Sequence, residues 1–589
     1  MMKRTICFLL ALLLVCAFSS CGKDEPAEPL FAERGEVERE PIGELKPAKD
    51  AAAILASLRD AGQRYAGPDF GDSTRADGLR LAAAGPAAGD TVAADGEYIY
   101  MLDSYGLVIL SAAGERSEML SYPRVDRGGP GWSERLFLAQ DRAAVVCTVS
   151  GEDPEGEADW NDRSEVRCIL LDISDRRAPR LLGETAVEGT LADARLIDDK
   201  LCLVTNRSLL TLPEDGKELL PALRENGETL RLEPMDVYLS PDPDKAAISV
   251  VAALRLEDGR LTDAIAFTGA AEGVGGEGRE LFLCRTLWDE ELSQPFREEP
   301  YSVVDCTVTA RTELKHLRLD KGLKLLGGCI LEGALPDAAA LATLGDGLCA
   351  VTGTDSRRFA AYTDEKHGWT NYEVLGSSRA SQLAVLNEAL ELRGALTQLG
   401  GGEGLADCRF AGGAAWLSVA GEQGTVHTVD LRDPAAPTPA GDLRVEGECL
   451  YLRDFGEGRV LCLAAPGAEG GWRLILFDLS DPAAPRALDS LKLRQRPAAE
   501  LNDPGAVFAD PAAGLVGFPV AGEKGNQYLL VRWTGESWKE KGAFALEYVP
   551  EDTRAILRNG LLYICTPGEV YVTDPEDMEL VTTVSNAVG

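Results

Sequence analysis

The segment FDLSDPAAPRALDS at Phe477–Ser490 nearly repeats VDLRDPAAPTPAGD at Val429–Asp442, with Asp478 standing 48 residues after Asp430. A looser copy, DISDRRAP, occupies Asp172–Pro179. Asp and Ser side chains accept hydrogen bonds from backbone N–H groups two residues on, which favours a tight turn. Proline presets φ and cannot donate to a ladder, so it stops a strand where it stands. The element is a recurrent strand terminator, and its recurrence is architectural.

Around each copy the same order of short strands returns. A turn followed by a strand appears in DGEYIYML (Asp95–Leu102), DDKLCLV (Asp198–Val204), GDGLCAV (Gly345–Val351), GGAAWLSV (Gly412–Val419), EGRVLCLA (Glu457–Ala464) and NGLLYICT (Asn559–Thr566). A second apolar strand follows, as in GLVIL, RCILLDIS, GTVHTVDL and WRLILFDL; then come the turns DISDRRAP, DLRDPAAP and DLSDPAAP, and a further strand such as RLLGETAV or GDLRVEG completes the unit. Helical periodicity is nearly absent, so the class is all-β. Three or four short strands recurring every ~45–50 residues are the signature of a β-propeller blade, which dries its faces only against neighbouring sheets. At roughly 50–60 residues per unit the spacing predicts about eight blades, within a range of seven to nine. The irregular stretch is 205–335, where Leu212–Lys245 reads as a long surface insertion.

The N-terminal end reads as an address. Lys3 and Arg4 precede the short apolar run Thr5–Phe18, and Ser19 and Ser20 precede Cys21. That order makes residues 1–20 a secretory signal. FSSCGKDEP resembles a bacterial lipobox, with Phe18 in place of the usual Leu. The resemblance implies lipidation at Cys21 and anchorage on the extracellular face of the bacterial membrane; ordinary cleavage without lipid is the alternative. Residues 21–46 read as an acidic, flexible tether. Within 47–88, Ala51, Ile54, Leu55, Leu58, Ala61 and Tyr65 fall at helical spacing, followed by a Gly/Ala-rich connector. Residues 89–589 form the propeller domain. The net charge of −37 argues against nucleic acid as a partner.

The ordered series ADGEYIYML, LLPALRENGE, SQLAVLNEALELRGAL, ADCRFAGGAAWLSV, TVDLRDPAAPTPAGDLRVEGECLYL, LILFDLSDPAAPRAL and FADPAAGLVGFPV resembles a family of bacterial secreted proteins. That family carries a C-terminal β-propeller distantly similar to WD repeats, of unknown function. The resemblance implies fold and export, and no definite activity. The chain departs from the family at YLRDF and NDPGAVFADPAAG, where a His or His-Lys is usual, so no role of those side chains carries over.

Chemistry is sparse. His316, His367 and His427 lie in separate units without a ligand-spaced partner. No nucleophile elbow, zincin, P-loop or dinucleotide motif occurs. Eleven cysteines follow Cys21, most inside apolar strands, and they read as small buried hydrophobes. Cys202, Cys349 and Cys462 read as equivalent positions in successive units. Cys147 with Cys168 is the one candidate disulfide pair. The acidic stretch Gly151–Asp162 lacks the glycine and closing Glu of an EF-hand loop and reads as a solvated hairpin tip, as does Trp288–Pro300. Trp132, Trp160, Trp288 and Trp369 either line a binding face or pack within blades. We therefore expect no cofactor, metal or assigned catalytic residue. The leading expectation is a noncatalytic binding scaffold for a protein, peptide or glycan. The alternative is an extracellular hydrolase with a carboxylate pair in the propeller channel.

Overall fold

The structure, a computed structural model, describes residues 39–585 except 43–44, 65–88, 104, 126–130, 151–163, 210–211, 213–218, 242–245, 299–300, 337, 346, 365, 401–403, 420–423, 468–469, 499–503, 523–524 and 548–552. The signal, Cys21, most of the tether, the Gly/Ala-rich connector, the acidic stretch Gly151–Asp162 and Trp160 lie outside the described residues.

The described strands form eight largely antiparallel sheets, and the ten-stranded one contains two consecutive four-strand meanders joined side by side. The chain therefore builds nine meanders in order: 92–121, 131–188, 190–268, 273–332, 341–399, 405–444, 449–492, 508–545 and 554–585, numbered blades 1 to 9. Nine is the upper end of the range the spacing allowed. Blades 4 and 5 blur the repeat because their strands Tyr301–Leu319, Gly347–Asp364 and Trp369–Leu386 run to 19, 18 and 18 residues.

Position in the meander sets burial. In blade 7 the second and third strands, Arg459–Ala464 and Arg473–Asp478, are buried along their apolar lengths, whereas the fourth, Arg486–Lys492, is largely exposed. Continuous apolar runs are what a strand covered on both faces requires. The first strands of blades 1 and 2, 3 and 4, 6 and 7, and 8 and 9 touch one another, which marks the first strand as the inner one.

Apolar clusters link each blade to the next and close the ring. Tyr100 and Ile109 of blade 1 meet Val145 and Ile169 of blade 2. Blades 2 and 3, 3 and 4, and 4 through 6 follow in the same way. Trp416 and Val426 meet Val460 and Phe477, and further clusters join blades 7 to 8 and 8 to 9. Cys565 and Val570 of blade 9 then pack on Ile99 and Val108 of blade 1. The two end blades exchange no strand among the described residues. Their seam is packing plus hydrogen bonds, among them those from Gly114 N to Tyr563 Oη (3.1 Å) and from Asn559 Nδ2 to the Ala112 carbonyl (2.9 Å).

The repeated turn joins the third strand of a blade to its fourth. Asp478 Oδ1 accepts from Ser480 N at 3.2 Å, and Asp481 Oδ1 accepts from Ala483 N at 3.1 Å. Asp172, Asp175, Asp430 and Asp433 do the same in the other copies. The turn does more than stop a strand, because it seats on the preceding blade. Every fourth strand has a β-bulge at the same place, after which come Ser121, Gly183, Asp263, Gly327, Gly394, Gly441, Asp489, Gly542 and Thr582. The next blade's third-to-fourth turn lies against that residue. A Cβ on Gly441 would come 2.5 Å from Pro485 Cδ and 2.9 Å from the Pro482 carbonyl oxygen. Pro434 and Ala389 approach Gly394 and Gly327 in the same manner. At Ser121, Asp263 and Asp489 the side chain bonds to the incoming turn. Ser121 donates to the Arg176 carbonyl (2.6 Å), and Asp263 and Asp489 accept from Leu323 N and Trp538 N, both at 2.7 Å.

Blades 2 to 5 carry additions. Leu212–Lys245 enters between the second and third strands of blade 3; its hairpin Ala222–Glu225/Glu228–Arg231 adds to the outer strand of blade 2. Val237–Tyr238 adds parallel to the outer strand of blade 3. Arg39–Pro41, expected within the tether, pairs with Cys329–Leu331 on the outer edge of blade 4. The helix Ala51–Arg64 buries Ile54, Leu55 and Leu58 in the cluster shared by blades 2 and 3.

Candidate functional site

Three features could carry function: the charged inner strands, a buried ion cluster between blades 3 and 4, and the hairpins that rise from blades 4 and 5.

The inner strands repeat an Asp-x-Arg pattern at Asp193–Arg195 and Asp407–Arg409, each beside a bulge that opens the backbone. Asp193 accepts from Ala194 N (2.8 Å) and pairs with Arg135 (2.7 Å) and Arg195 (3.3 Å). Asp407 accepts from Cys408 N (2.7 Å) and, across the seam, from Leu452 N of blade 7 (2.8 Å). The guanidinium reaches forward to the next blade. Arg195 donates to the Val274 carbonyl, Arg409 to the Leu452 carbonyl (2.9 Å), and Arg453 to the Val507 carbonyl. At the ring seam Arg554 of blade 9 clasps Asp90 ahead of blade 1, at 2.9 Å and 3.0 Å. These charges satisfy backbone groups between blades, as buried polar groups must be satisfied.

Glu313, on the third strand of blade 4, is 1% exposed and lies between Arg285 (2%) and Lys315 (6%). Its carboxylate accepts from Arg285 Nε and from Lys315 Nζ (2.6 Å). Burial pushes its pKa up, but the two cations outweigh that and hold Glu313 below the usual carboxylate range. Nearby, Asn206 and Ser249 hold the crossover into blade 4, accepting from Ala271 N at 2.9 Å and 2.8 Å. An acid held ionised by two cations cannot donate a proton near neutral pH. Glu134, on the inner strand of blade 2, behaves differently: burial pushes it up, partly offset by the Thr148 hydroxyl and by Arg135.

Beyond the ring edge, Trp288–Leu292 and Phe296–Glu298 pair with 301–310, which pairs with 357–363, which pairs with 369–374. One face of this projecting sheet packs Trp288, Cys306, Val308, Phe359 and Tyr372 together. Tyr301 meets Tyr362 and Trp369 at centroid distances of 6.0 Å and 5.9 Å. Residues 369–379 are exposed almost throughout. Past Ser381 that strand pairs with the outer strand of blade 5, so 369–379 forms a free edge among the described pairings.

A family model described as a β-propeller domain matches residues 85–576. The chain belongs to the β-propeller domain family. An uncharacterized protein of Archaeoglobus fulgidus is 28% identical over 236 residues, covering 40% of this chain and 36% of that protein. An uncharacterized protein of Methanocaldococcus jannaschii is 24% identical over 210 residues, covering 35% of this chain and 32% of its own length. This propeller thus spans about a third of the relatives it matches. The solved structure of Citrobacter koseri AztD covers 57% of the chain and 91% of its own, at 15% identity and a TM-score of 0.25, too low to argue from.

The propeller distributes the sequence-named candidates widely. His316 stacks on Phe282 at 4.4 Å, bonds to Glu280 (2.6 Å) and reaches the Glu388 carbonyl (2.7 Å), beneath the blade 4–5 seam. His367 bonds to Asp364 in a turn (2.5 Å), and His427 to Asp442 within blade 6 (2.7 Å). No group of three or more metal-ligating side chains occurs among the described residues. Trp132 and Trp369 are exposed, and Trp288 belongs to the hairpin core.

The cysteines need two corrections. Cys202, Cys349 and Cys462 all lie on second strands, but Cys202 faces blade 4 whereas Cys462 faces back toward blade 6, so those two are not equivalent. A one-residue offset turns a strand side chain to the other face. Cys147 donates to the Arg167 carbonyl at 3.7 Å, and it is Cys449 and Cys462 whose sulfurs meet, at 2.6 Å. Burial pushes the Cys168 and Cys202 thiols up to about 12. The Asp-x-Arg pattern stands in the sequence as ADARL and ADCRF, but nothing local marks it as a clasp between blades.

Proposed function

We propose that this propeller is a noncatalytic binding scaffold, held on the outer face of a bacterial membrane through lipid on Cys21. It presents the rim of blades 2 to 5 to an extended protein, peptide or glycan ligand. The observation that carries this reading is where large apolar side chains stand exposed. Eleven of the thirteen, among them Trp132, Leu230, Met235, Phe296, Trp369 and Val374, belong to blades 2 to 5 or their insertions; Tyr105 of blade 1 and Leu580 of blade 9 are the other two, and blades 6 to 8 expose none among the described residues. Apolar surface gathered on one sector of a soluble fold marks an interaction face. The inner-strand acids Asp193 and Asp407 and the buried Glu313 are each neutralised by Arg or Lys, which suits a rigid frame better than acid–base work.

A carboxylate hydrolase is the second reading, favoured by Glu134 and Glu448, whose carboxyls burial pushes up as a general acid needs. Labelled protein on peptide and glycan arrays tests both, alongside a variant whose hairpins at 289–309 and 356–377 are cut to short turns. The scaffold reading expects saturable binding without turnover, lost in the shortened variant while the circular dichroism of the ring persists. Turnover abolished by Glu134→Gln, or undiminished binding by the shortened variant, would contradict it. Labelling with radioactive palmitate, compared with a Cys21→Ala variant, tests the anchor separately.

A further inference from the structure

We infer that Cys449 and Cys462 close into an intrachain disulfide when the chain folds under oxidising conditions. Their sulfurs lie 2.6 Å apart, 13 residues apart in the chain, on the paired first and second strands of blade 7. A disulfide bond is about 2.05 Å long. Both side chains are fully buried and belong to the cluster that packs blade 7 on blade 6. The strand register explains why the sulfurs meet. Cys449 pairs with Ala464 and Cys462 with Leu452, with a bulge between. The same register places Leu405 and Leu417 at these two positions in blade 6, and Leu191 and Leu203 in blade 3. Blade 7 thus puts two thiols where blades 3 and 6 put two leucines.

The bond requires an acceptor. A disulfide donor, either a small-molecule disulfide or an exchange protein, takes the two electrons and two protons. One cysteine sulfur displaces a thiol from it to form a mixed disulfide; the second cysteine then displaces the donor's other thiol. Since neither sulfur is accessible in the folded ring, exchange precedes the docking of blade 7. The bridge would staple the inner strand to its neighbour at the crossover from blade 6, where Ser418 Oγ already donates to the Cys449 carbonyl (3.0 Å). The expectation that the bond exists in the cell rests on the export reading; the chemistry of the pair does not.

The full chain is reduced, denatured, refolded in a mixture of oxidised and reduced glutathione, alkylated in denaturant and mapped by mass spectrometry. The result expected is a Cys449–Cys462 cross-linked species two hydrogens lighter than its reduced form, with the other described cysteines alkylated. Its thermal midpoint should fall by several degrees when reductant is added. Cys462→Ala should leave Cys449 alkylated and abolish that reductant-dependent shift. Complete alkylation of both cysteines in the refolded chain would overturn the inference, as would failure to form the bond in oxidant while the reductant control folds. If the refolded chain is bridged but the chain recovered from its own cells is not, the pair stands and the export reading fails.

Discussion

Blades 6 to 9 and blades 2 to 5 obey one docking rule and differ in everything added to it. In both sectors the third-to-fourth turn of each blade seats on the bulge of the blade before. In the plain sector the receiving residues are Gly441, Asp489, Gly542 and Thr582, and the outer strands stay bare. Those strands carry Arg486, Lys492, Lys539 and Glu540, charges that protect an edge from pairing. In the elaborated sector the outer edges of blades 2, 3 and 4 are covered by added strands, and the long hairpins rise between second and third strands. The lesson is a division of labour between the two faces. The turn face builds the ring from a short repeated instruction, which leaves the opposite face free to accept insertions.

The largest effect should come from the elaborated sector. Glu313→Ala strands Arg285 and Lys315 without their shared carboxylate, and losing one partner of a buried ion pair costs about 3–5 kcal/mol. Differential scanning calorimetry should show the loss, and hydrogen exchange should place it at blades 3 and 4 while blades 6 to 9 keep their protection. Uniform deprotection would mean that the sectors do not unfold separately.

Gly441→Ala tests the plain sector's rivet. The added Cβ meets Pro485 and the Pro482 carbonyl, and overpacking of this kind costs about 2 kcal/mol. Gly376→Ala, on the hairpin edge where nothing lies within 4 Å, is the control and should leave the melting curve unchanged. Equal effects at the two glycines would remove the docking rule. Thr428→Val should cost about 1 kcal/mol, because the Thr428 hydroxyl donates to the Pro482 carbonyl at 2.5 Å.

The smallest effect is one of pH, and it comes from the turns shared by both sectors. Hydrogen bonds from Ser174 hold Asp172 low, Arg432 holds Asp430 low, and Ser480 with Arg486 holds Asp478 low. A carboxylate whose folded pKa is depressed contributes stability above its unfolded value of about 3.9, lost as pH falls through the folded value. Thermal midpoints should therefore drop below about pH 4, and Asp478→Asn should flatten part of that slope. An unchanged slope would show that the turn carboxylates are not coupled to folding.

The sequence displayed the strands, the turn and the approximate period, because each is local: an Asp accepting two residues on, a proline ending a ladder, an apolar run between them. It also displayed the helix face of Ile54, Leu55 and Leu58. What remained hidden was relational. Gly441 reads as one glycine among many until Pro482 of the next blade is seen against it. Cys449 and Cys462 read as two buried residues until the bulge at Leu450 sets their register. The Asp-x-Arg pairs were visible as letters, but that their guanidiniums reach carbonyls 43 and 79 residues away is a property of the closed ring. The candidate site was least legible, since the exposed apolar residues of blades 2 to 5 are scattered along the chain, from Trp132 and Leu181 on blade 2 to Leu230, Phe296 and Trp369 on the insertions.

Electron-microscopy class averages viewed down the ring axis test the central claim most directly. The expected image is nine radial blades in a closed circle, with the first and ninth in contact and projecting density confined to one sector. Eight blades, or an open arc with a gap between the first and last, would contradict it.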